Sequence, residues 1–268
     1  MRIRVVDAFA DRPFTGNPAG VVLLDGFLDD AWLQSVALEV NHSETAFAHP
    51  LPAGMDADWN LRWFTPTTEV DLCGHATLAA AHVLFSTGRA SGPIRFNTAS
   101  GILSASVAPD GTITLDFPTA QLTEAEAVPE LAAAIGATPE ATYRTGVVGD
   151  LLVLLPDEAS VRSLAPDFKA LAEIAERGVV VTAPAADPSG DHDFVSRCFF
   201  PRVGVNEDPV TGSAHTALAP LWSERLGRTD LTGLQVSRRT GRVGVALRGD
   251  RTLLTGKAIT VIDGELMA

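Results

Sequence analysis

Two cysteines, one tyrosine and three methionines are all that this 268-residue chain contains of those types. Cys73 and Cys198 are too few for a disulfide scaffold, and their scarcity fits a reducing compartment. Positive charge is also short, with 20 Lys and Arg against 33 Asp and Glu and a formal charge of −13. A chain of that sign repels phosphate backbones, so no nucleic-acid partner is expected. No uncharged run is long enough to cross a bilayer and no apolar signal region follows the first residue, so the expectation is a soluble, cytoplasmic protein without a membrane partner. A Walker loop, a G-x-G-x-x-G turn after a strand and a G-x-S-x-G elbow are all missing, which argues against nucleotide cofactors and an ordinary serine hydrolase. Asp191-His192-Asp193 sits in a Pro-Ser-Gly loop with no second pair at ligand spacing, so neither a metal site nor a cofactor is expected.

What is present is apolar mass. Hydrophobic residues make up 46% and charged residues 20%, enough to bury a sizeable core, and the length suits one large or two medium domains. Two stretches stand out because they resemble each other. Glu69–Leu84 reads E-V-D-L-C-G-H-A-T-L-A-A-A-H-V-L and Glu207–Trp222 reads E-D-P-V-T-G-S-A-H-T-A-L-A-P-L-W, with Gly74 and Gly212 offset by 138 positions. Arg62–Pro66 is answered by Arg197–Pro201, the helical spacing at Leu33 and Val36 by Leu171 and Ile174, and Ser100-Gly101 by Thr240-Gly241. Preserved order at nearly constant offset points to an internal duplication of about 130–140 residues per unit.

Neither Leu72–Thr87 nor Pro209–Ser223 contains an Asp, Glu, Lys or Arg. A helix apolar all round must be buried on all sides, and a strongly curved sheet around one central helix per domain satisfies this better than flat layers. Pro220 is expected to kink or shorten the second helix. Strands are expected at Ile3–Phe9, Val21–Leu24, Thr45–Ala48, Leu61–Thr65, Ile94–Thr98, Ile102–Val107 and Thr112–Phe117, with Thr15–Gly20 as a loop and a helix capped by Asp29 or Asp30. The domains are placed at residues 1–118 and 130–256, with 119–129 as linker and 257–268 returning to the first.

Each motif sets a Gly and then a polar residue, His75 or Ser213, at a helix start. Free N–H groups there favour a carboxylate or phosphate; alternatively, Ser213 is only an N-cap and the glycines only permit a tight turn. Glu44, opening an apolar strand, suits general acid and base work or is a turn residue paired with an arginine. Asp208 could polarise His75 or hold a substrate amine, or simply form its turn. His75 can move protons near neutral pH or cap its own helix, whereas His215 is expected to be buried and hydrogen-bonded. Cys73 at a helix start is a candidate thiol nucleophile or a small buried residue, and Cys198 is expected to serve packing.

Taken together, N-P-A-G at Asn17–Gly20, S-E-T-A-F at Ser43–Phe47, F-T-P at Phe64–Pro66, C-G-H-A-T at Cys73–Thr77 and E-D-P-V-T-G-S-A-H at Glu207–His215 resemble the phenazine-biosynthesis PhzF-like family over both halves. The resemblance implies an α+β, diaminopimelate-epimerase-like fold of two pseudo-symmetric domains, each a barrel-like sheet around a central helix, with the site between them. It implies Glu44 as the acid/base residue, His75, Asp208 and Ser213 as supporting site residues, and Gly74 and Gly212 as backbone donors to the substrate; Asn17, Ser43 and Cys73 are further expected substrate contacts. The implied chemistry is isomerisation of a small carboxylate by proton movement, without metal or organic cofactor, in a homodimer. Related racemases pair one thiol from each half, but here Thr211 stands opposite Cys73. A two-thiol racemase is therefore disfavoured, while a single-thiol racemase, epimerase or dehydratase using Cys73 stays open, as does a non-catalytic small-anion binder.

Overall fold

The charge-free run that follows Cys73 has no polar face to offer water, and its burial sets the plan of the first half. The computed structural model describes residues 1–126, 128–174 and 177–267. The chain divides into two units, Met1–Asp116 with Thr255–Ala268, and Phe117–Leu254.

In the first unit, β1 (Arg2–Ala8), β2 (Asn17–Leu23), α1 (Asp30–Val40), β3 (Glu44–Pro50), β4 (Trp59–Phe64), β5 (Glu69–Val70), α2 (Gly74–Ser86), β6 (Ile94–Thr98), β7 (Gly101–Val107) and β8 (Ile113–Pro118) follow in order. The α1 helix begins where its sequence signal lies: the Asp29 carboxylate accepts the Trp32 N–H, and its apolar residues Leu33, Val36 and Ala37 are buried. It connects β2 and β3, which pair in parallel with Ala19 opposite Glu44. β4 pairs antiparallel with β3 and parallel with β6. Helix α2 is buried at every residue from Gly74 to Leu84 except His82, and it packs against β1, β2, β3 and β7. Ala79, Ala80 and Ala81 are fully covered, so small side chains let the strands close around it.

The second unit repeats the plan with β9 (Thr123–Glu124), α3 (Pro129–Ile135), β10 (Ala141–Arg144), β11 (Asp150–Leu154), α4 (Glu158–Arg162), α5 (Phe168–Ile174), β12 (Gly178–Pro184), β13 (Phe194–Phe200), β14 (Val205–Asp208), α6 (Gly212–Leu226), β15 (Asp230–Gln235), β16 (Gly241–Arg248) and β17 (Arg251–Gly256). Again a parallel pair, β11 and β12, is followed by an antiparallel β13 that pairs in parallel with β15. The copy extends to side chains. Arg62 Nε donates to Glu69 at 2.6 Å with its guanidinium over Phe64, and Arg197 Nε donates to Glu207 at 2.7 Å over Phe199. A final strand, β18 (Ala258–Glu265), pairs antiparallel with β1 in the first unit and packs against α2.

Several expectations change. Asn17-Pro18-Ala19-Gly20 is the start of β2 rather than a loop. Proline is tolerated because pairing with β3 begins only at Ala19, so its missing N–H removes no bond from that ladder. Pro220 does not shorten α6, which runs 15 residues. The Thr216 carbonyl that Pro220 leaves without its helical donor accepts the Ala120 N–H at 3.2 Å, which repairs the defect. Within residues 119–129, Thr123–Glu124 forms a strand paired with β10, and residue 127 lies outside the described residues.

Candidate active site

Helix α2 starts without a side-chain cap. Cys73 holds the N-cap position in an extended conformation and makes no capping bond with its sulfur, so the first-turn amides of α2 lack the usual side-chain acceptor. The thiol turns to the helix's second residue instead, with Sγ 3.5 Å from His75 Nδ1. On the other side of the ring, His75 Nε2 lies 3.3 Å from Glu44 Oε2. That contact is a close approach rather than an aligned hydrogen bond, a common state of catalytic pairs before substrate binds. Glu44 is the first residue of β3 and its side chain keeps 19% exposure, whereas that of His75 keeps 5%. Burial, with a smaller push from His42, lowers the His75 pKa to about 3. The imidazole is therefore neutral near pH 7, with one N–H and one acceptor nitrogen.

Glu44, Cys73 and His75 each bring a ligand-type atom within 4.8 Å of the other two, a cluster that sequence spacing did not announce. The thiol and the carboxylate sit at opposite ring nitrogens. The geometry is that of a chain through the imidazole. His75 does not cap its own helix, and both ring nitrogens are engaged by residues of its own unit. Asn17 is buried at the start of β2 opposite Ala8, and Ser43 precedes Glu44.

In the second unit, Thr211 takes the N-cap place of Cys73, again extended and without a capping bond. Its hydroxyl donates to Asp208 at 2.5 Å, and Gln235 ties the turn by accepting the Thr211 N–H and donating to the Asp208 carbonyl. Ser213 is not an N-cap; it is the second residue of α6, after Gly212, as His75 is of α2. Its hydroxyl accepts from Arg177 at 2.8 Å. Arg177 also donates to buried Asp150 at 3.0 Å and lies over the Phe200 ring. It stands immediately before β12 much as Glu44 opens β3, so a cation occupies in one unit the place that a carboxylate takes in the other. His215 is buried and bonded to the Thr211 carbonyl as expected. Cys198 is fully buried, and burial raises its thiol pKa well above the usual value. The ring nitrogens of His192 lie 2.9 Å from Asp191 and 3.2 Å from Glu158.

Burial also raises the Asp150 pKa to about 7, against the opposing pull of Arg177. The folded protein therefore binds this proton more tightly than the unfolded chain, and the associated stability is lost as pH rises from about 4 to about 7. The Asp150→Asn variant lacks that slope. Its Tm relative to the parent protein, followed by calorimetry, is expected to rise steadily across this window; a constant difference would remove Asp150 as a titrating group.

A family model described as phenazine biosynthesis-like protein matches residues 6–264. An uncharacterized isomerase of Halalkalibacterium halodurans is 47% identical over 268 residues, 99% of this chain and 98% of its own. The crystal structure of a phenazine biosynthesis protein of the PhzF family from Enterococcus faecalis matches at a TM-score of 0.91 and 40% identity, over 100% of this chain and 99% of that one. A hydroxyproline epimerase from Agrobacterium vitis, 14% identical with a TM-score of 0.64 over 98% and 91% of the two chains, shares the fold. The α+β, epimerase-like architecture is thus shared with these neighbours. The chain belongs to the phenazine biosynthesis-like family, as one of its isomerases.

Proposed function

We propose that this isomerase moves a proton between two positions of a small carboxylate substrate, amino-acid-like or cyclic, with Glu44 as the acid and base and without an added cofactor. The observation that supports it is the Glu44 carboxyl at the start of β3, partly open to solvent and 3.3 Å from a buried histidine that is neutral near pH 7. A carboxylate beside a neutral imidazole can both take and return a proton without a cation pinning its charge. For holding the substrate, the unit that carries Glu44 offers a helix start with a leading glycine and no side-chain cap, Gly74 in α2. Amides so placed bind a carboxylate and stabilise an electron-rich intermediate. Asn17 and Ser43, of the same unit as Glu44, are the side chains proposed for substrate contact.

Incubating the enzyme in heavy water with a panel of small linear and cyclic amino and hydroxy carboxylates tests this directly. Deuterium is expected to appear at carbon in at least one of them. Ligand-induced thermal stabilisation with no exchange for any compound would instead identify an anion-binding protein. The Cys73–His75 contact keeps a single-thiol mechanism as the second reading. That reading expects Cys73→Ser to abolish exchange while Glu44→Gln preserves it.

A further inference from the structure

The thiol is attached to the same imidazole as the proposed base, through the other ring nitrogen. We propose that Cys73, His75 and Glu44 form one proton relay, in which Cys73 is a second catalytic residue and His75 passes protons between the sulfur and the carboxyl. The inference rests on the assignment of Glu44 as the proton-moving group and extends it to the other end of the ring.

In one arrangement Glu44 is a carboxylate, the imidazole carries its proton on Nε2, and Cys73 is a thiol. Moving the Sγ proton to Nδ1 while the Nε2 proton passes to Oε2 yields a thiolate, an Nδ1–H imidazole and a carboxylic acid. Two protons shift, the net charge stays at minus one, and the ring is neutral at both ends of the transfer. The observed contacts, 3.5 Å at Nδ1 and 3.3 Å at Nε2, require no change of partner for this exchange. A ring whose cationic form is suppressed by burial favours concerted passage through neutral tautomers over stepwise charging.

In turnover, Glu44 removes a proton from the substrate and the Cys73 thiol supplies a different proton to it. Once exchange with water has brought the ring to its Nδ1–H tautomer, Nδ1–H passes its proton to the sulfur while the Glu44 proton passes to Nε2, which restores the thiol, the Nε2–H ring and the carboxylate. The second unit cannot do this. Its equivalents are Arg177, Ser213 and Thr211, which the Ser213–Arg177 and Thr211–Asp208 bonds bind separately. The proton chemistry is thus confined to the first unit.

The elements packed on α2 define what else could titrate beside His75. β1 brings Asp7, whose carboxyl accepts the Phe14 N–H, and Arg2 and Arg4, which pair with Asp263 of β18. β18 also carries Glu265, and His42 and Glu44 come from the start of β3, with His49 further along that strand. β2 and β7 carry no titratable side chain.

The test is 15N–1H correlation of the imidazoles in the uniformly 15N-histidine-labelled protein, with His75 identified from a His75→Gln spectrum. Thiolate formation is followed in parallel by ultraviolet absorbance over roughly pH 5 to 9. His75 is expected to stay neutral and to move from mainly Nε2–H toward Nδ1–H in step with the Cys73 thiolate. Cys73→Ser is expected to hold the Nε2–H form throughout, and Cys73→Ala gives the same comparison if the serine variant folds poorly. An imidazolium signal in this range, a tautomer indifferent to thiol ionisation, or a serine variant that titrates like the parent would overturn the relay. Because these spectra need no substrate, they fail separately from the isotope exchange that tests Glu44.

Discussion

Glu44→Gln is expected to lower proton exchange at the substrate carbon by about 1,000-fold or more, while leaving Tm within a few degrees of the parent. A positioned general acid or base contributes typically 10²- to 10⁴-fold, and Glu44 is the group that takes the proton from the substrate carbon. Glutamine keeps the length and planarity of the side chain and can still face His75 Nε2. The substitution therefore removes basicity with little change of packing at a site whose side chain is 19% exposed. Glu44→Asp separates position from chemistry. It keeps the carboxyl but withdraws it by one methylene, and misplacement of about 1 Å is enough for a loss of roughly 100-fold. The expected order is therefore parent, then Asp, then Gln. A Gln variant with parental exchange, measured by mass spectrometry in heavy water, would move the proton chemistry to another residue, with Cys73 the first candidate.

Local signals in the chain were the readable ones. Asp29 before an apolar helical period yields α1 with its cap in place, and the charge-free runs after Cys73 and Thr211 yield two buried helices, because periodicity and charge act over neighbouring residues. The duplication was legible for the same reason, as a set of short matches in order. The His75–Glu44 contact was implied by the family resemblance alone. It joins the first residue of β3 to the second residue of α2, 31 positions apart, and depends on how β2, β3 and the helix pack. Arg177 was missed for a related reason. Its offset from Glu44 is 133, whereas the motif glycines differ by 138, so a fixed offset passes it by. The usable clue was positional: both residues stand at the start of the second strand in a parallel pair. Asp150 belongs to no motif in the sequence, and only the fold shows it covered and bonded to Arg177. The N-P-A-G stretch has every mark of a loop and still forms strand, since β1 and β3 supply partners that composition cannot reveal.

Gly178→Ala is expected to be the most damaging small substitution at the start of β12. A Cβ built there would stand 2.0 Å from Phe200 Cδ1 and 2.6 Å from the Phe199 carbonyl oxygen. The ring could in principle turn away, but the carbonyl belongs to the backbone of β13, which pairs with β12 through Val179 and Phe199. Relief therefore requires the two strands to part or twist. Overpacking of this kind costs about 1–3 kcal/mol and occasionally more; with a backbone atom in the way the upper end applies, or roughly 6–12 °C in Tm for a chain of this size. Phe200 is also the ring beneath the Arg177 guanidinium and Arg177 in turn holds Ser213, so the substitution is expected to loosen that contact as well. Gly264→Ala in β18 is the matched control, since nothing lies within 4 Å of a Cβ at that position. Its Tm should stay within about 1–2 °C of the parent. Equal Tm values for the two variants would show that β12 and β13 can separate at no cost, contrary to the close packing that places Arg177 against Ser213.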